Sequence, residues 1–133
     1  MRTLLSGLIA AAGAWLLAGC AATPAPPAPV VQAGAPVSCI DTGRIRATEV
    51  LDGRTIEFRM RDGSVYRNTL PRLCPGLGAE RAFTYELVVP RLCDVDLIRV
   101  LRTSGGPMAG ASCGLGRFVP VRPVDPHGPS PRP

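Results

Sequence analysis

The sequence predicts an all-β domain: a small barrel or sandwich of five to six mostly antiparallel strands, stapled by disulfides. Three observations predict it. The run Thr55-Ile56-Glu57-Phe58-Arg59-Met60-Arg61 alternates apolar and charged residues with a period of two, the pattern of a half-buried strand. Asp52-Gly53 and Asp62-Gly63 flank that run, and Asp-Gly supplies the positive φ that tight hairpin turns use. Four cysteines are spread over a segment of about 85 residues, a length that buries only a modest core and gains from cross-links.

In chain order the first element is a leader. Arg2 precedes an uncharged apolar run from Leu4 to Ala18, the layout of an export signal. At about 1.5 Å per residue that run makes a helix of roughly 22 Å, short of the ~30 Å hydrocarbon core, so a permanent membrane span is disfavoured. Leu17-Ala18-Gly19-Cys20 resembles the lipobox of bacterial lipoproteins. The resemblance implies a diacylglycerol on the Cys20 sulfur, cleavage before Cys20 and acylation of the new amine. Two or three acyl chains anchor a protein durably where one alone is marginal. Ala21 after the cysteine, in place of an aspartate, implies delivery to the outer membrane, facing the periplasm. Residues 1–19 are therefore expected to be a signal peptide that takes the sole tryptophan, Trp15, with it.

Residues 20–37 follow as a lipidated cysteine and an uncharged proline/alanine tether, AATPAPPAPVVQAGAPV. Proline fixes φ and removes a donor, so the segment reads as a semi-rigid spacer able to reach roughly 50 Å. The domain itself is expected over residues 38–121. A proline-rich tail, residues 122–133, closes the chain and holds the only histidine, His127.

Within the domain the two Asp-Gly turns define a meander of three strands, Arg44 to Leu51, Arg54 to Arg61 and Ser64 to Leu70. Past Cys74-Pro75-Gly76 a single helical turn is expected over Leu77 to Ala82. Arg81 to Val89, Val95 to Arg102 and Gly116 to Val121 supply the remaining strands, closure of the sheet protecting its edges.

Cysteine chemistry follows from the lipid assignment. With Cys20 acylated, the odd count of five becomes an even four: Cys39, Cys74, Cys93 and Cys113. Two disulfides are expected, each contributing on the order of 3 to 4 kcal/mol by loop closure. Three connectivities are open. Cys39 with Cys113, joining the domain's ends, and Cys74 with Cys93, closing its middle, is the favoured set. Zinc would want close pairs such as C-x2-C, whereas these cysteines lie 35, 19 and 20 positions apart, so no metal site is assigned.

Several motifs suggest chemistry that their context does not support. Gly110-Ala111-Ser112-Cys113-Gly114 matches the G-x-S-x-G nucleophile elbow, but that elbow needs a strand-turn-helix and a fixed downstream histidine. Gly105-Gly106 lacks the G-K-[ST] of a phosphate cradle. Asp94 and Asp96 would share a strand face, yet neither a second carboxylate across a cleft nor a calcium ligand set accompanies them or Asp41. No catalytic residue and no cofactor is assigned. All fifteen basic residues are arginine, and the net charge of +5 is modest. Arg44, Arg46, Arg59, Arg61, Arg67, Arg72, Arg91, Arg99 and Arg102 read mainly as a solvated surface. Exposed aromatics for stacking on bases are lacking, which argues against nucleic acid.

The blocks Cys39-Ile40-Asp41-Thr42, Thr55-Ile56-Glu57-Phe58, Val65-Tyr66-Arg67-Asn68-Thr69-Leu70, Cys74-Pro75-Gly76-Leu77 and Cys113-Gly114-Leu115-Gly116 together resemble an uncharacterised family of small proteobacterial lipoproteins, a domain of unknown function. The resemblance spans Cys39 to about Val121 and implies an envelope location without an activity or a substrate. The expectation is a membrane-tethered binding or structural domain with an envelope protein or polymer as partner. A small inhibitor of an extracytoplasmic hydrolase such as lysozyme is the alternative, and a small hydrolase using Ser112 is a further one.

Overall fold

The computed structural model describes residue 19 and residues 26–103 and 108–124. The expectations for the leader up to Ala18, for Cys20, for Gly105-Gly106 and for the tail beyond Val124, with His127, fall outside the described residues.

The domain is all-β and antiparallel, with a single short α-helix among the described residues. Its spine is the meander β3 (Ile45–Val50), β4 (Thr55–Met60) and β5 (Val65–Thr69), each within a residue or two of its expected bounds. Alternation along β4 buries Ile56, Phe58 and Met60 in the core. The turn between β4 and β5 closes with the Gly63 N–H donating to the Met60 carbonyl at 3.1 Å, and Gly63 takes φ +87° as an Asp-Gly turn requires. Between β3 and β4 the loop is longer. Leu51 N–H bonds Thr55 O, and the Asp52 carboxylate caps the Arg54 N–H at 2.7 Å.

Asp62 finishes the first of these turns. Its Oδ1 accepts from both the hydroxyl and the N–H of Ser64, and Arg44 Nη2 lies 2.7 Å from Oδ2. The Ser64 hydroxyl, then its amide, holds the Asp62 carboxyl below the usual aspartate value, and Arg44 adds to the effect. A depressed carboxyl stabilises the fold above its unfolded pKa, and that stability is lost as pH falls through the folded one. The contribution is therefore full at neutral pH and disappears only in acid. Ser64→Ala is expected to move the Asp62 midpoint back up towards the ordinary value in an NMR titration; an unmoved midpoint would refute the assigned cause.

Two strands extend the meander. β10 (Phe118–Pro123) pairs with β5, and β1 (Val30–Gln32) pairs with β10, giving the order β1-β10-β5-β4-β3. Residues 30–32, expected as spacer, and residues 122–123, expected as tail, are thus strand residues of this sheet. The proline density behind the spacer reading is interrupted at Val30-Val31-Gln32, whose β-branched, proline-free backbone can complete a ladder. Val37 extends the join by exchanging both backbone bonds with Phe118 at 2.9 Å.

A three-stranded sheet is formed by β6 (Phe83–Tyr85), β8 (Leu97–Arg102) and β9 (Met108–Gly114), and a two-stranded one by β2 (Cys39–Asp41) and β7 (Arg91–Cys93). The expected strand over Arg81 to Val89 is only β6, since Val88 and Val89 are exposed. Helix α1 (Leu77–Glu80) occupies the site of the expected helical turn. All three sheets contribute to one core, in which Phe58 meets Phe118 and Phe83 edge-on, at centroid distances of 5.4 and 6.3 Å.

Four cysteines form two disulfides, but in a different connectivity from the favoured one. Cys39 bonds Cys93, and Cys74 bonds Cys113. Strand pairing explains the difference: β2 and β7 set Cys39 directly opposite Cys93, so the sheet and not the chain ends decides that partner. Cys74, just before α1, is then left to reach β9.

Candidate functional site

The outer face of the five-stranded sheet carries the feature best suited to binding. On this face Glu49 of β3, Glu57 of β4 and Arg67 of β5 lie in one cross-strand row, and Ala47, Arg59 and Val65 in the next. Period-two alternation sends these residues outward because Ile56, Phe58 and Met60 face in. Glu57 is nevertheless buried, 7 % exposed, under its neighbours' side chains.

Burial of a carboxylate calls for partners, and Glu57 has them. Arg67 donates Nε and Nη2 to Glu57 Oε1 at 3.2 and 2.7 Å. Arg59 Nη2 lies 3.5 Å from the other oxygen and donates to Glu49 Oε2 at 2.7 Å. Its bond to Glu49 holds the Arg59 guanidinium further into its charged form. The result is a ladder, Glu49, Arg59, Glu57, Arg67, running across three strands.

Removing one member should cost stability unequally. Arg67→Met leaves Glu57 buried with only the longer Arg59 contact, and is expected to cost about 2 kcal/mol. That is less than for a fully buried pair, because the Arg67 side chain keeps 22 % of its exposure. Adding Glu57→Leu should recover most of the loss. Urea unfolding of the two variants checks this; an Arg67→Met protein as stable as the parent would contradict it.

Above the ladder lies a groove of about 320 Å³, within the range of small ligand sites. Val65 and Val121 line it, as do Pro26, Pro27 and Ala28 of the chain leading into β1. Arg81 and Arg122 also line it, and neither is ion-paired to a described residue.

The residues singled out in the sequence lie elsewhere. Ser112 is exposed in the middle of β9, opposite Arg99 of β8, so G-x-S-x-G here is a strand segment with no helix after it. Asp94 and Asp96 do not share a strand face: Asp94 lies in the turn between β7 and β8, and Asp96 follows it, with its Oδ2 accepting from Cys93 N–H at 2.6 Å. Asp41 caps a 3-10 turn through Gly43 N–H at 2.8 Å. Among the described residues no group of three His, Cys, Asp or Glu could hold a metal ion, and no helix is long and apolar enough to cross a membrane.

Sequence reasoning missed the groove. Neither Arg81 nor Arg122 stands out in the sequence as a surface arginine, and the proline segment reads mainly as a spacer, with a site for a proline-reading partner as the lesser alternative. Glu57 and Arg59 stand out as the charged positions of an alternating strand and Arg67 as a surface arginine, but one sequence does not report that Glu57 is buried between the two guanidinium groups. No family model, no curated protein and no solved structure matches this chain.

Proposed function

We propose that the chain is a lipid-anchored lipoprotein of the cell envelope, held in the outer membrane and facing the periplasm, whose β domain acts by binding and not by catalysis. The observation that carries this reading is the groove between the proline segment and the arginine-glutamate ladder. Its two carboxylates are already engaged by guanidinium groups, an arrangement suited to holding a shape and a field and poorly suited to shuttling protons.

The pairing of β1 with β10 also shortens the tether. Only the nine residues from Ala21 to Pro29 separate Cys20 from the sheet, so an acylated Cys20 would keep the groove within roughly 28 Å of the bilayer, not the 50 Å of a longer spacer. An immobile partner in the same envelope layer is then the natural ligand.

A photo-crosslinking residue in place of Val65 tests the reading in living cells. A discrete adduct with an envelope component is expected there, and none from the same residue at Arg72, an exposed site outside the groove. No adduct at Val65, or equal adducts at both positions, would contradict it.

A further inference from the structure

The three-stranded sheet turns an open face away from the core. Phe83 and Tyr85 of β6 and Ile98 and Val100 of β8 pack inward, so alternation sends Thr84, Leu97, Arg99 and Leu101 outward. Strand register sets Thr84 and Ser112 on either side of Arg99 in one cross-strand row, with Gly114 beside Leu97 and Ala109 beside Leu101. Leu97 is 58 % exposed, Val95 just before β8 is 84 % exposed, and Leu101 is exposed as well. Single exposed aliphatics are ordinary on a protein surface, whereas a group of them on one face marks a contact surface.

Charges on this face are few, and both signs are present. A groove of about 330 Å³ opens here, lined by Arg99, Glu86, Leu97, Val95, Thr84 and Ser112 among others. Tyr85 lies opposite Ile98, so Glu86, the next residue, emerges beside Leu97. Leu97 therefore borders Glu86 across the strands and Arg99 two residues along β8. Arg99 and Glu86 are both exposed, and neither is ion-paired to a described residue. The other carboxylate lining the groove, Asp96, already accepts from the Cys93 N–H at 2.6 Å.

We propose that this face is the contact surface of a homodimer, a second copy of the chain packing on it across a two-fold axis. An axis lying between Arg99 and Glu86 brings the Arg99 of each copy to the Glu86 of the other, so one free cation and one free anion yield two ion pairs. Leu97, which borders both, then sits beside the axis and meets its own counterpart, and Val95 adds to the apolar centre. A patch of this kind rimmed by charge has the layout of a protein interface. An anionic membrane or a nucleic acid calls for a surplus of positive charge, which a face with one free arginine and one free glutamate lacks. No residue lines both this groove and the one above the ladder, so pairing here does not consume the other.

The face is small. Three strands at about 4.8 Å and the six residues of β8 at about 3.4 Å give roughly 14 by 20 Å, or about 600 Å² over two copies, below the range of stable complexes. A weak dimer is therefore expected, half-formed at roughly 100 µM.

Sedimentation velocity on the mature chain with Cys20→Ser, from about 5 µM to about 1 mM, tests the proposal. The parent is expected to pass from monomer to dimer across that range, and Leu97→Asp to stay monomeric. Arg99→Glu and Glu86→Arg should each weaken the dimer at least about tenfold, because each sets like charges together twice. A mixture of those two variants should recover dimer to within about threefold of the parent, as heterodimers of one doubly acidic and one doubly basic copy. All three positions are exposed, so each variant should melt within about 4 °C of the parent. A parent that stays monomeric across the range, reversals that leave dimerisation unmoved, or a mixture no better than either variant alone would each overturn the proposal. The last result would mean that Arg99 and Glu86 pair within one chain.

Discussion

Gly116→Ala is expected to lower the stability of the domain by about 3 kcal/mol or more, near 15 °C in Tm. A Cβ on residue 116 would collide with the Thr69 carbonyl oxygen, a backbone atom that cannot rotate aside. The close approach exists because Asn68, fully buried on β5, clasps the Gly116 backbone from both sides. Asn68 Nδ2 donates to Gly116 O at 2.6 Å, and Gly116 N–H donates to Asn68 Oδ1 at 2.8 Å. This pair fixes the loop that delivers β10 to the edge of β5, and β10 in turn carries β1 and the proline segment that lines the groove. Asn68→Ala should cost a similar amount by leaving both Gly116 backbone groups without a partner, each worth about 1 to 3 kcal/mol when buried. The double variant should cost much less than the sum, since the two residues act as a unit. Thermal unfolding followed by circular dichroism measures all three, and a Gly116→Ala protein melting with the parent would show that the clasp is not structural.

Loss of the Cys74–Cys113 disulfide is expected to be the largest single effect. It closes a separation of 39 residues, and the chain-entropy model assigns that closure about 4 kcal/mol. A domain of this size has a total stability of the order of 5 to 15 kcal/mol, so the Cys74→Ala/Cys113→Ala protein should be largely unfolded at 37 °C. Cys74 is also part of the core, at 1 % exposure, which adds a packing loss. The two bridges should differ in how easily they open. Cys39 and Cys93 are half-buried and sit on the two-stranded sheet, whereas Cys74 is shielded. Limited reduction under native conditions, followed by alkylation and peptide mapping, should label Cys39 and Cys93 first. Earlier labelling at Cys74 and Cys113 would reverse that order.

The parts of the fold that depend on local pattern were readable, and the parts that depend on distant partners were not. Alternation and two Asp-Gly pairs located β3, β4 and β5, because a half-buried strand and its turn each leave a mark within a few residues. β9 left none. Met108-Ala109-Gly110-Ala111-Ser112-Cys113-Gly114 has the composition of a loop, and it is a strand because β8 lies beside it. Gly110 fits there because a Cβ would press within 2.9 Å of the Val100 carbonyl. β2 and β7, three residues each, were too short to show a period, and with them went the correct disulfide connectivity. β1 was hidden by the prolines on either side of it.

The candidate site was legible only in fragments. Glu57 and Arg59 carried the charged positions of an alternating strand and Arg67 read as a surface arginine, but the burial of Glu57 and the lining of the groove by Pro26 to Ala28 are products of tertiary packing. Arg81 carried no signal at all, since a positive φ at an arginine is set by the helix end it caps and not by its own preference.

The two bridges Cys39–Cys93 and Cys74–Cys113 go with the proposal of an exported chain that begins at an acylated Cys20. Intact mass of the protein extracted from its native membranes, recorded before and after reduction and followed by non-reducing peptide mapping, tests it most directly. The account predicts a chain starting at residue 20 with two or three acyl groups, a gain of two hydrogens per bridge on reduction, and those two cross-linked peptide pairs. A chain that keeps Met1, carries no acyl group and shows no mass change on reduction would contradict it.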